Sequence, residues 1–234
     1  MQFHVILVTG ATSGIGRAVA VRLRREGVRV LATGRDQANL ASLAAESGAE
    51  PLAIDMRDTA AFERVFADNA IDAVVNNAGI LATRARFQEI DPADIDGMID
   101  VNLKAPLHVA RMALPPMIKR GRGHLVFVGS SAGRWPHPNS SVYGASKAGI
   151  SLFCDALRSD LLGTGVRVTE IAPGRVETML YRDAIGPEAA HAELYDGYNS
   201  LCPEDIAELI VTVLAAPANV DVSRLEVFPT DQAL

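Results

Sequence analysis

The sequence predicts a doubly wound α/β fold, in which helices cover both faces of a parallel β-sheet. Three features of the 234-residue chain favour it. Short runs rich in β-branched residues alternate with longer helical segments along the whole chain. Several of these runs are apolar almost throughout, as strands that are covered on both faces are. A glycine-rich turn, TGATSGIG at 9–16, joins the first run to the first helical segment.

Each strand-like run but the last is followed by a segment with helical periodicity. The strand-like runs are 3–8, 28–33, 51–54, 72–76, 124–129, 166–171 and 225–228. The helix-like segments are 15–26, 36–47, 59–69, a longer one near 92–120, 141–162 and 203–216. Three of these segments have helix-starting residues at their beginning, namely Asp58, Ser141 and Pro203–Glu204. Glycines lie near the ends of three segments, at Gly27, Gly48 and Gly163. Sustained alternation without a linker or repeat predicts one domain over 1–234, with right-handed crossovers.

The least regular segment is 175–202, which follows the carboxyl end of a predicted strand. A long insertion at that edge is where an α/β enzyme places a lid, so we expect a substrate lid there. A mobile surface loop or a packed helix pair would also fit the pattern.

Composition excludes several classes of protein. Hydrophobic residues make up 49% of the chain and charged residues 21%, which is incompatible with general disorder. With 22 Lys and Arg against 28 Asp and Glu, the net charge of −6 argues against nucleic-acid or anionic-membrane partners. We expect no metal site, because no His or Cys grouping has ligand spacing.

Several patterns indicate a soluble protein of the cytoplasm. No apolar run approaches the ~20 residues of a spanning helix. The opening MQFHVILVTG has neither a basic leader nor a small-residue cleavage site. The two cysteines, Cys154 and Cys202, form no disulfide framework and suggest a reducing compartment. We therefore expect a cytoplasmic location.

The glycine turn at 9–16 is a candidate phosphate site. Gly10, Gly14 and Gly16 let the backbone turn sharply and approach a pyrophosphate at the start of the following helix. The spacing is G-x-x-x-G-x-G rather than G-x-G-x-x-G, and a turn of this kind is only moderately specific alone. We expect the turn residues Thr12, Ser13 and Ile15 to contact the same dinucleotide.

The residues after the second strand predict which dinucleotide is bound. Arg35 can pair with the 2′-phosphate of NADP, and Gly34 places no carboxylate there. Asp36, 20 residues beyond Gly16, is about where an acidic residue would bind the ribose of NAD, although it would also cap the next helix. The pattern favours NADP(H) over NAD(H).

A serine, a tyrosine and a lysine form the candidate catalytic group. Ser130 follows the fifth strand, and Tyr143 and Lys147 lie one helical turn apart, on one face of a helix. A neighbouring ammonium favours phenolate and should lower the tyrosine pKa toward the range useful for proton transfer. Ser130 would hydrogen-bond the reacting oxygen. A Tyr-x-x-x-Lys pair alone is common on helices.

Six motifs occur in the order typical of the short-chain dehydrogenase/reductases, which this chain resembles over nearly its whole length. They are TGATSGIG (9–16), NNAG (76–79), VNLKA with Asn102, GSSAG with Ser130, YGASK (143–147) and PGRVET (173–178). The resemblance implies a Rossmann-type fold, with Tyr143 as acid/base, Lys147 on the nicotinamide ribose and lowering the tyrosine pKa, and Asn102 holding a relay water. It also implies contacts between the cofactor and further residues, namely Asp55, Met56, Asn77, Ala78, Gly79, Pro173, Gly174, Val176 and Thr178.

Within the family, the regions around the catalytic tyrosine and at the end of the chain resemble bacterial NADP-dependent 3-hydroxy acid dehydrogenases, which act on serine and allo-threonine. The relatives carry Gly-Gly-Asn where this chain has Asn139-Ser140-Ser141, at the mouth of the predicted pocket. A hydroxy acid needs a cationic partner for its carboxylate, preferably arginine. The candidates are Arg84, Arg134, Arg175 and Arg182. Trp135, Met179 and Tyr181 could instead form an apolar wall, with His137 at the rim.

These observations predict an NADP(H)-dependent oxidoreductase acting on a small hydroxy or carbonyl substrate. A reductase of bulkier ketones, aldehydes or acyl thioesters is the enzymatic alternative, and a non-catalytic nucleotide sensor is a third. The resemblance also implies a homotetramer or homodimer formed through the central helices. Apolar residues at 150–157, namely Ile150, Leu152, Phe153 and Leu157, would serve such an interface or pack on the sheet.

Overall fold

A computed structural model describes residues 2–232. Seven strands form one parallel sheet in the order β3-β2-β1-β4-β5-β6-β7. The strands are β1 (Val5–Val8), β2 (Arg29–Gly34), β3 (Glu50–Ala53), β4 (Ala73–Asn76), β5 (Gly123–Val128), β6 (Val166–Pro173) and β7 (Arg224–Val227). The predicted doubly wound sheet is confirmed, because the strand order reverses direction between β1 and β4.

Helices connect the strands and cover the sheet. They are α1 (Gly14–Arg25), α2 (Gln37–Ser47), α3 (Thr59–Asp68), α4 (Pro92–Ile99), α5 (Ala105–Arg120), α6 (Ser141–Asp160), α7 (Met179–Ile185), α8 (Pro187–Ala190) and α9 (Pro203–Ala215). Within residues 2–232, none of them is long and apolar enough to cross a bilayer.

Two hydrophobic layers lie on opposite faces of the sheet. One layer packs α1, α2 and α9 against it, with Leu23, Leu40 and Ile210 fully buried or nearly so. The other packs α3, α5 and α6 against it, with Phe62 and Met117 at its centre. Both faces of the central strands are therefore covered, which is why these strands read as continuous apolar runs.

The structure refines two helical expectations. The long helix predicted near 92–120 contains a π-helical segment at Asp100–Lys104, between α4 and α5. The irregular segment 175–202 holds α7, α8 and a π-helical turn at His191–Tyr195, and the bridge between Val176 and Leu201 ties its two ends together. It is a packed helical segment, and its role as a lid stays a prediction.

The predicted interface residues of α6 divide between the core and the surface. Ile150 and Leu157 belong to the core layer under α6. Phe153 packs edge-on against Phe127, at 5.8 Å between ring centres. Leu152 is 72% exposed and is the member of the set that projects from the surface. A homotetramer or homodimer stays a prediction.

Candidate active site

A cavity of about 460 Å³ lies at the carboxyl ends of the strands, where an open α/β sheet binds its ligands. The turn after β1 and the ends of β2, β4, β5 and β6 form its floor, and α7 covers one side. Its lining contains most of the residues predicted from the sequence, namely Gly10, Thr12, Ser13, Gly14, Ile15, Arg35, Asp55, Met56, Asn77, Ala78, Gly79, Ser130, Tyr143, Lys147, Pro173, Gly174, Val176 and Thr178. Gly16 and Asn102 are not part of this lining.

The glycine turn is braced by the strand beside it. A Cβ at Gly10, where φ is +65°, would lie 2.7 Å from Ala78 Cα, so only glycine fits. The Asn77 amide donates to the carbonyl oxygens of Thr9 at 3.0 Å and Gly10 at 3.1 Å. Asn77, predicted to contact the cofactor, therefore has a second role, which is to hold the turn.

Gly16 serves packing. A Cβ there would lie 2.3 Å from the Gly10 carbonyl oxygen and 2.4 Å from Asn77 Nδ2. The glycine thus lets α1 approach the turn, and its contact with the cofactor stays a prediction. The third glycine of dinucleotide fingerprints has the same use.

The start of α1 presents free backbone donors to the cavity. Ser13 is its N-cap residue and makes no capping hydrogen bond through its side chain. The first N–H groups of a helix have no intrahelical acceptor, and their partial positive charge favours a bound phosphate. These donors and the glycine turn fit a dinucleotide pyrophosphate.

The side chains after β2 favour a nucleotide with a 2′-phosphate. Asp36 caps α2, accepting from Asn39 N at 3.0 Å and Asn39 Nδ2 at 2.7 Å. Its carboxylate is therefore engaged in the capping role that the sequence also allowed. Arg35 is exposed and lines the cavity. A Cβ at Gly34 would lie 2.4 Å from Thr12 Cγ2, so this glycine is needed for packing under the turn.

Asp55 lines the cavity as predicted but is held by its neighbour. Arg57 donates to both of its carboxylate oxygens, at 2.9 and 2.8 Å. This pairing lowers the pKa of Asp55 to about 2, so the carboxylate is charged at neutral pH.

Ser130, Tyr143 and Lys147 converge at the end of β5. Tyr143 and Lys147 are buried, at 6% and 5% exposure, and Lys147 Nζ lies 5.8 Å from the centre of the Tyr143 ring. Lys147 Nζ donates to the Val128 carbonyl oxygen at 2.9 Å. Ser130 begins a short 3₁₀ turn, with its hydroxyl accepting from Ala132 N at 3.2 Å. The three side chains can therefore meet one oxygen of a small molecule in the cavity.

In the chain alone, the pKa of Tyr143 is raised rather than lowered, contrary to the expectation from the neighbouring Lys147. Burial raises the pKa of Tyr143, Tyr181 raises it further, and the hydrogen bond from Ser130 opposes them. Burial also lowers the pKa of Lys147 to about 8, partly offset by the charge of Glu170. Removing the phenolate from water outweighs the nearby hydrogen bond, and the Lys147 ammonium is turned to a backbone carbonyl.

Asn102 lies in the π-helical segment and is committed to backbone groups. Its Oδ1 accepts from Ile80 N at 2.7 Å, and its Nδ2 donates to Ile80 O at 2.8 Å. Nδ2 also contacts Ser146 Oγ at 3.3 Å, and that hydroxyl donates to the Tyr143 carbonyl oxygen at 2.7 Å. The side chain links the loop after β4 to the catalytic helix, and the relay water predicted for it stays a prediction.

The predicted carboxylate-binding arginines differ in their partners. Arg134 pairs with Glu226 at 2.6 Å, and Arg182 pairs with Glu177. Arg84 pairs with the exposed Glu193 at 3.1 Å. Within residues 2–232, Nη1 of Arg175 has no hydrogen-bond partner, and the guanidinium carbon lies 3.9 Å from the Tyr198 ring centre.

The mouth of the cavity mixes apolar and polar groups. Tyr181 and Met179 line the cavity, whereas His137 is exposed. Asn139 has φ +59°, a left-handed backbone that asparagine and glycine tolerate. Asn139 stands where these relatives have glycine, and its backbone conformation is one that glycine also adopts.

Several lining residues were missed by the sequence reasoning. They are Thr33, Ile54, Ile80, Leu81, Ala82, Val101, Val128, Gly129, Leu180 and Asp183. Ile54, Ile80 and Gly129 directly follow a strand end or the NNAG motif, and that position was the signal available for finding them. Leu81, Ala82, Leu180 and Tyr181 pack in one apolar cluster with Tyr143.

Comparison with known proteins places this geometry beside enzymes of one family. The short chain dehydrogenase family model matches residues 4–188. A short-chain type dehydrogenase/reductase of Sinorhizobium fredii, y4eK, is 50% identical over 233 residues, covering 100% of this chain and 94% of the relative. Sulfoacetaldehyde reductase 2 of Chromohalobacter salexigens is 44% identical, covering 98% and 95%.

Two further comparisons concern hydroxy acids. The NADP-dependent 3-hydroxy acid dehydrogenase YdfG of Salmonella typhi is 38% identical, covering 98% of this chain and 96% of the relative. The closed form of a serine dehydrogenase complexed with NADP⁺ superimposes with a TM-score of 0.95 at 37% identity, covering 98% of this chain and 96% of that one.

Proposed function

The chain belongs to the short-chain dehydrogenase family, and from that premise we propose that it is an NADP(H)-dependent oxidoreductase of a small hydroxy or carbonyl substrate. The observation that carries the proposal is the convergence of Ser130, Tyr143 and Lys147 in the cavity that the glycine turn closes at its other end. A reactive end and a phosphate-binding end in one cavity are what hydride transfer from a dinucleotide requires.

The cofactor assignment is supported by the donors at the phosphate end. The free N–H groups at the start of α1 would hold the pyrophosphate, and Arg35 would hold the 2′-phosphate. Engagement of Asp36 as a helix cap leaves no free carboxylate at that position to select NAD(H). The matched serine dehydrogenase was solved with NADP⁺, in line with this assignment. When bound, the oxidised nicotinamide accepts the hydride and adds a positive charge that favours the phenolate form of a nearby tyrosine.

The residues of the chain would then handle the proton. In the oxidative direction, Tyr143 Oη would take the proton of the substrate hydroxyl while the hydride leaves the carbon that bears this hydroxyl, and the C=O bond forms. Ser130 donates a hydrogen bond to the oxygen on which negative charge develops. Lys147, anchored on Val128, supplies the neighbouring charge, and its position is maintained by packing within a buried site. Tyr181 and the apolar cluster around Tyr143 exclude water from the reacting oxygen.

The proposed substrate carries an acidic group two bonds from the reacting carbon, and a 3-hydroxy acid is the class we favour. The names of two relatives, a 3-hydroxy acid dehydrogenase and a sulfoacetaldehyde reductase, both describe small molecules with one anionic group. Arg84, whose guanidinium carbon lies 5.8 Å from the ring centre of the lining residue Tyr181, would suit such a substrate.

Substitution of Tyr143 tests the proposed chemistry. Tyr143→Phe keeps the ring but removes the group that carries the proton, so turnover of NADPH with an aldehyde should fall by about 10²–10⁴-fold. Oxidation of NADPH is followed at 340 nm, and NADPH binding is followed by its fluorescence, which should be unchanged. Tyr198→Phe removes a hydroxyl from a tyrosine that is 45% exposed and outside the cavity lining, so it serves as the control and should keep its activity.

The same assay separates the alternatives. Full activity of Tyr143→Phe would contradict the proposed acid/base. Binding of NADPH without turnover of any hydroxy acid, aldehyde or ketone would favour the nucleotide-sensing alternative. Turnover confined to bulky neutral carbonyls would favour the reductase alternative.

A further inference from the structure

Two arginines near the substrate end of the cavity have buried nitrogens without hydrogen-bond partners. Within residues 2–232, these are Nε of Arg84 and Nη1 of Arg175. Neither guanidinium belongs to the cavity lining itself, but Arg84 lies beside the lining residue Tyr181, and Arg175 stands between the lining residues Gly174 and Val176. A guanidinium remains charged at any physiological pH, so both are permanent donors. Buried donors in native proteins are nearly always paired, and an unpaired one requires an explanation such as a bound ligand. Within the described residues, the chain supplies no acceptor for either nitrogen.

The two arginines act on the same pair of side chains. The guanidinium carbon of Arg84 lies 5.8 Å from the centre of the Tyr181 ring. Burial raises the pKa of Tyr181, and the charges of Arg84 and Arg175 both oppose that rise. His137 is exposed, yet partial loss of water around its ring lowers its pKa, and the same two charges lower it further. Arg84 and Arg175 are far apart in sequence, and both bring positive charge to the neighbourhood of Tyr181 and His137.

That place adjoins the reacting end of the cavity. Tyr181 lines the cavity together with Ser130 and Tyr143, and it packs in the same apolar cluster as Tyr143. The phosphate-binding turn lies at the opposite end, so these charges are available to the substrate rather than to the pyrophosphate.

The other candidate arginines have acceptors within the chain. Arg134 is 58% exposed and paired with Glu226, and Arg182 is paired with Glu177. Arg84 also has a carboxylate partner, but Glu193 contacts its Nη1 and leaves Nε without a partner. Of the four arginines predicted from the sequence, only Arg84 and Arg175 have an unpaired buried nitrogen within residues 2–232. Arg84 lies over the Tyr181 ring, and Arg175 lies over the Tyr198 ring.

Building on the proposed function, we propose that Arg84 and Arg175 together bind the carboxylate or sulfonate of the substrate, and that they make the enzyme selective for small anionic carbonyl compounds. The oxygens of either anion accept N–H bonds from both guanidinium groups, while the carbonyl carbon two bonds away faces Tyr143. The hydride and proton steps are those of the proposed function, so no additional reactant is needed.

A series of three aldehydes with the same spacing tests the proposal. Sulfoacetaldehyde, 3-oxopropanoate and propanal share the O=CH–CH₂ unit and differ in the group that would meet the arginines. With NADPH and the wild-type enzyme, kcat/KM for at least one of the anions should exceed that for propanal by about 100-fold or more. The ratio between the two anions identifies which acid group the site prefers.

Arginine variants connect that preference to the two residues. Arg84→Gln and Arg175→Gln should each lower kcat/KM for the preferred anion by about 10- to 100-fold, and leave propanal within about threefold. Arg134→Gln removes the same charge from an arginine that is already paired, so it should behave as the wild type. NADPH affinity should be unchanged in all three, because the phosphates lie at the other end of the cavity. If a glutamine variant fails to fold, the corresponding lysine variant keeps the charge without the planar fork, and a smaller loss is expected.

The possible failures are distinguishable. Equal kcat/KM for propanal and both anions, or unchanged anion kinetics in both arginine variants, would overturn the arginine site while the oxidoreductase assignment stands. Absence of NADPH turnover with every aldehyde would instead contradict the proposed function.

Discussion

At the residue scale, neighbouring side chains decide which charges are available to a ligand. Asp36 and Arg35 are adjacent in sequence, yet the carboxylate caps α2 and the guanidinium is exposed at the cavity. The charged Asp55 carboxylate is likewise paired with Arg57, with 2.8 Å between Asp55 Oδ2 and Arg57 Nη2. A single helix cap thus supports the expected preference for NADP(H), because a carboxylate that accepts two N–H bonds is a poor partner for the ribose hydroxyls of NAD(H).

Arg35 should therefore control cofactor choice. Arg35→Ala removes the cation expected to bind the 2′-phosphate, so KM for NADPH should rise by about 10- to 100-fold while KM for NADH changes by less than about twofold. Steady-state kinetics with both cofactors measure the change. Arg64→Ala removes the same charge from the exposed surface of α3 and should leave both constants as in the wild type. Equal effects of Arg35→Ala on the two cofactors would contradict the assignment.

At the scale of elements, the break between α4 and α5 positions the loop after β4. The π-helical segment turns Asn102 toward Ile80, and the side chain pairs with both the N–H and the C=O of that residue. The same amide reaches Ser146 on α6. One side chain therefore joins three elements around Tyr143, and π-helical turns often occur at functional sites.

Loss of this amide should destabilise the protein. Asn102→Ala leaves both backbone groups of Ile80 without their partner, and the free energy of unfolding should fall by about 1–3 kcal/mol. Asn102→Asp retains the acceptor for the Ile80 N–H but not the donor to the Ile80 carbonyl oxygen, so we expect this variant to be less stable than the wild type as well. Urea denaturation measures both. Asn69→Ala removes an amide that makes a single backbone hydrogen bond at the end of α3, so it should lower the free energy of unfolding by less. Equal stability of Asn102→Ala and Asn69→Ala would contradict the role of Asn102.

At the scale of the whole molecule, the edge of the sheet opposite the cavity carries a buried histidine. His124 on β5 is 0% exposed, and its Nε2 lies 2.8 Å from Thr169 Oγ1. That hydroxyl donates to Val222 O, so it accepts from the imidazole, and Nδ1 is left without a hydrogen bond. Burial lowers the pKa of His124 to about 3, and the charge of Arg167 lowers it further. The folded protein therefore holds this imidazole in its neutral form.

Stability should consequently fall as the solution becomes acidic. Unfolded chains bind a proton at a histidine pKa near 6.5, whereas the folded protein does so only near 3, so stability is lost as pH falls between these values. The slope contributed by one such group is at most about 1.4 kcal/mol per pH unit. His124→Gln should reduce the difference in urea midpoint between pH 7.5 and pH 5.0, whereas His108→Gln, on the exposed side of α5, should not. An unchanged difference in His124→Gln would show that other groups determine the acid sensitivity.

The sequence by itself determined the fold class, the element order, the glycine turn and the Tyr143–Lys147 pair, because each depends on residues close together in the chain. Hydrophobic periodicity reports whether a strand is covered on both faces, and helical spacing brings side chains four residues apart onto one face. The structure moved strand and helix ends by only a few residues.

Only the tertiary structure decided which polar groups are already paired. The partners of Asn102 and Arg84 lie 22 and 109 residues away, so no local pattern shows that the first is engaged or that one nitrogen of the second is not. Burial decided the direction of the Tyr143 pKa shift, against the expectation from its neighbouring lysine. Hydrogen bonding and desolvation depend on every group that surrounds an atom, and that environment exists only once distant segments have packed together.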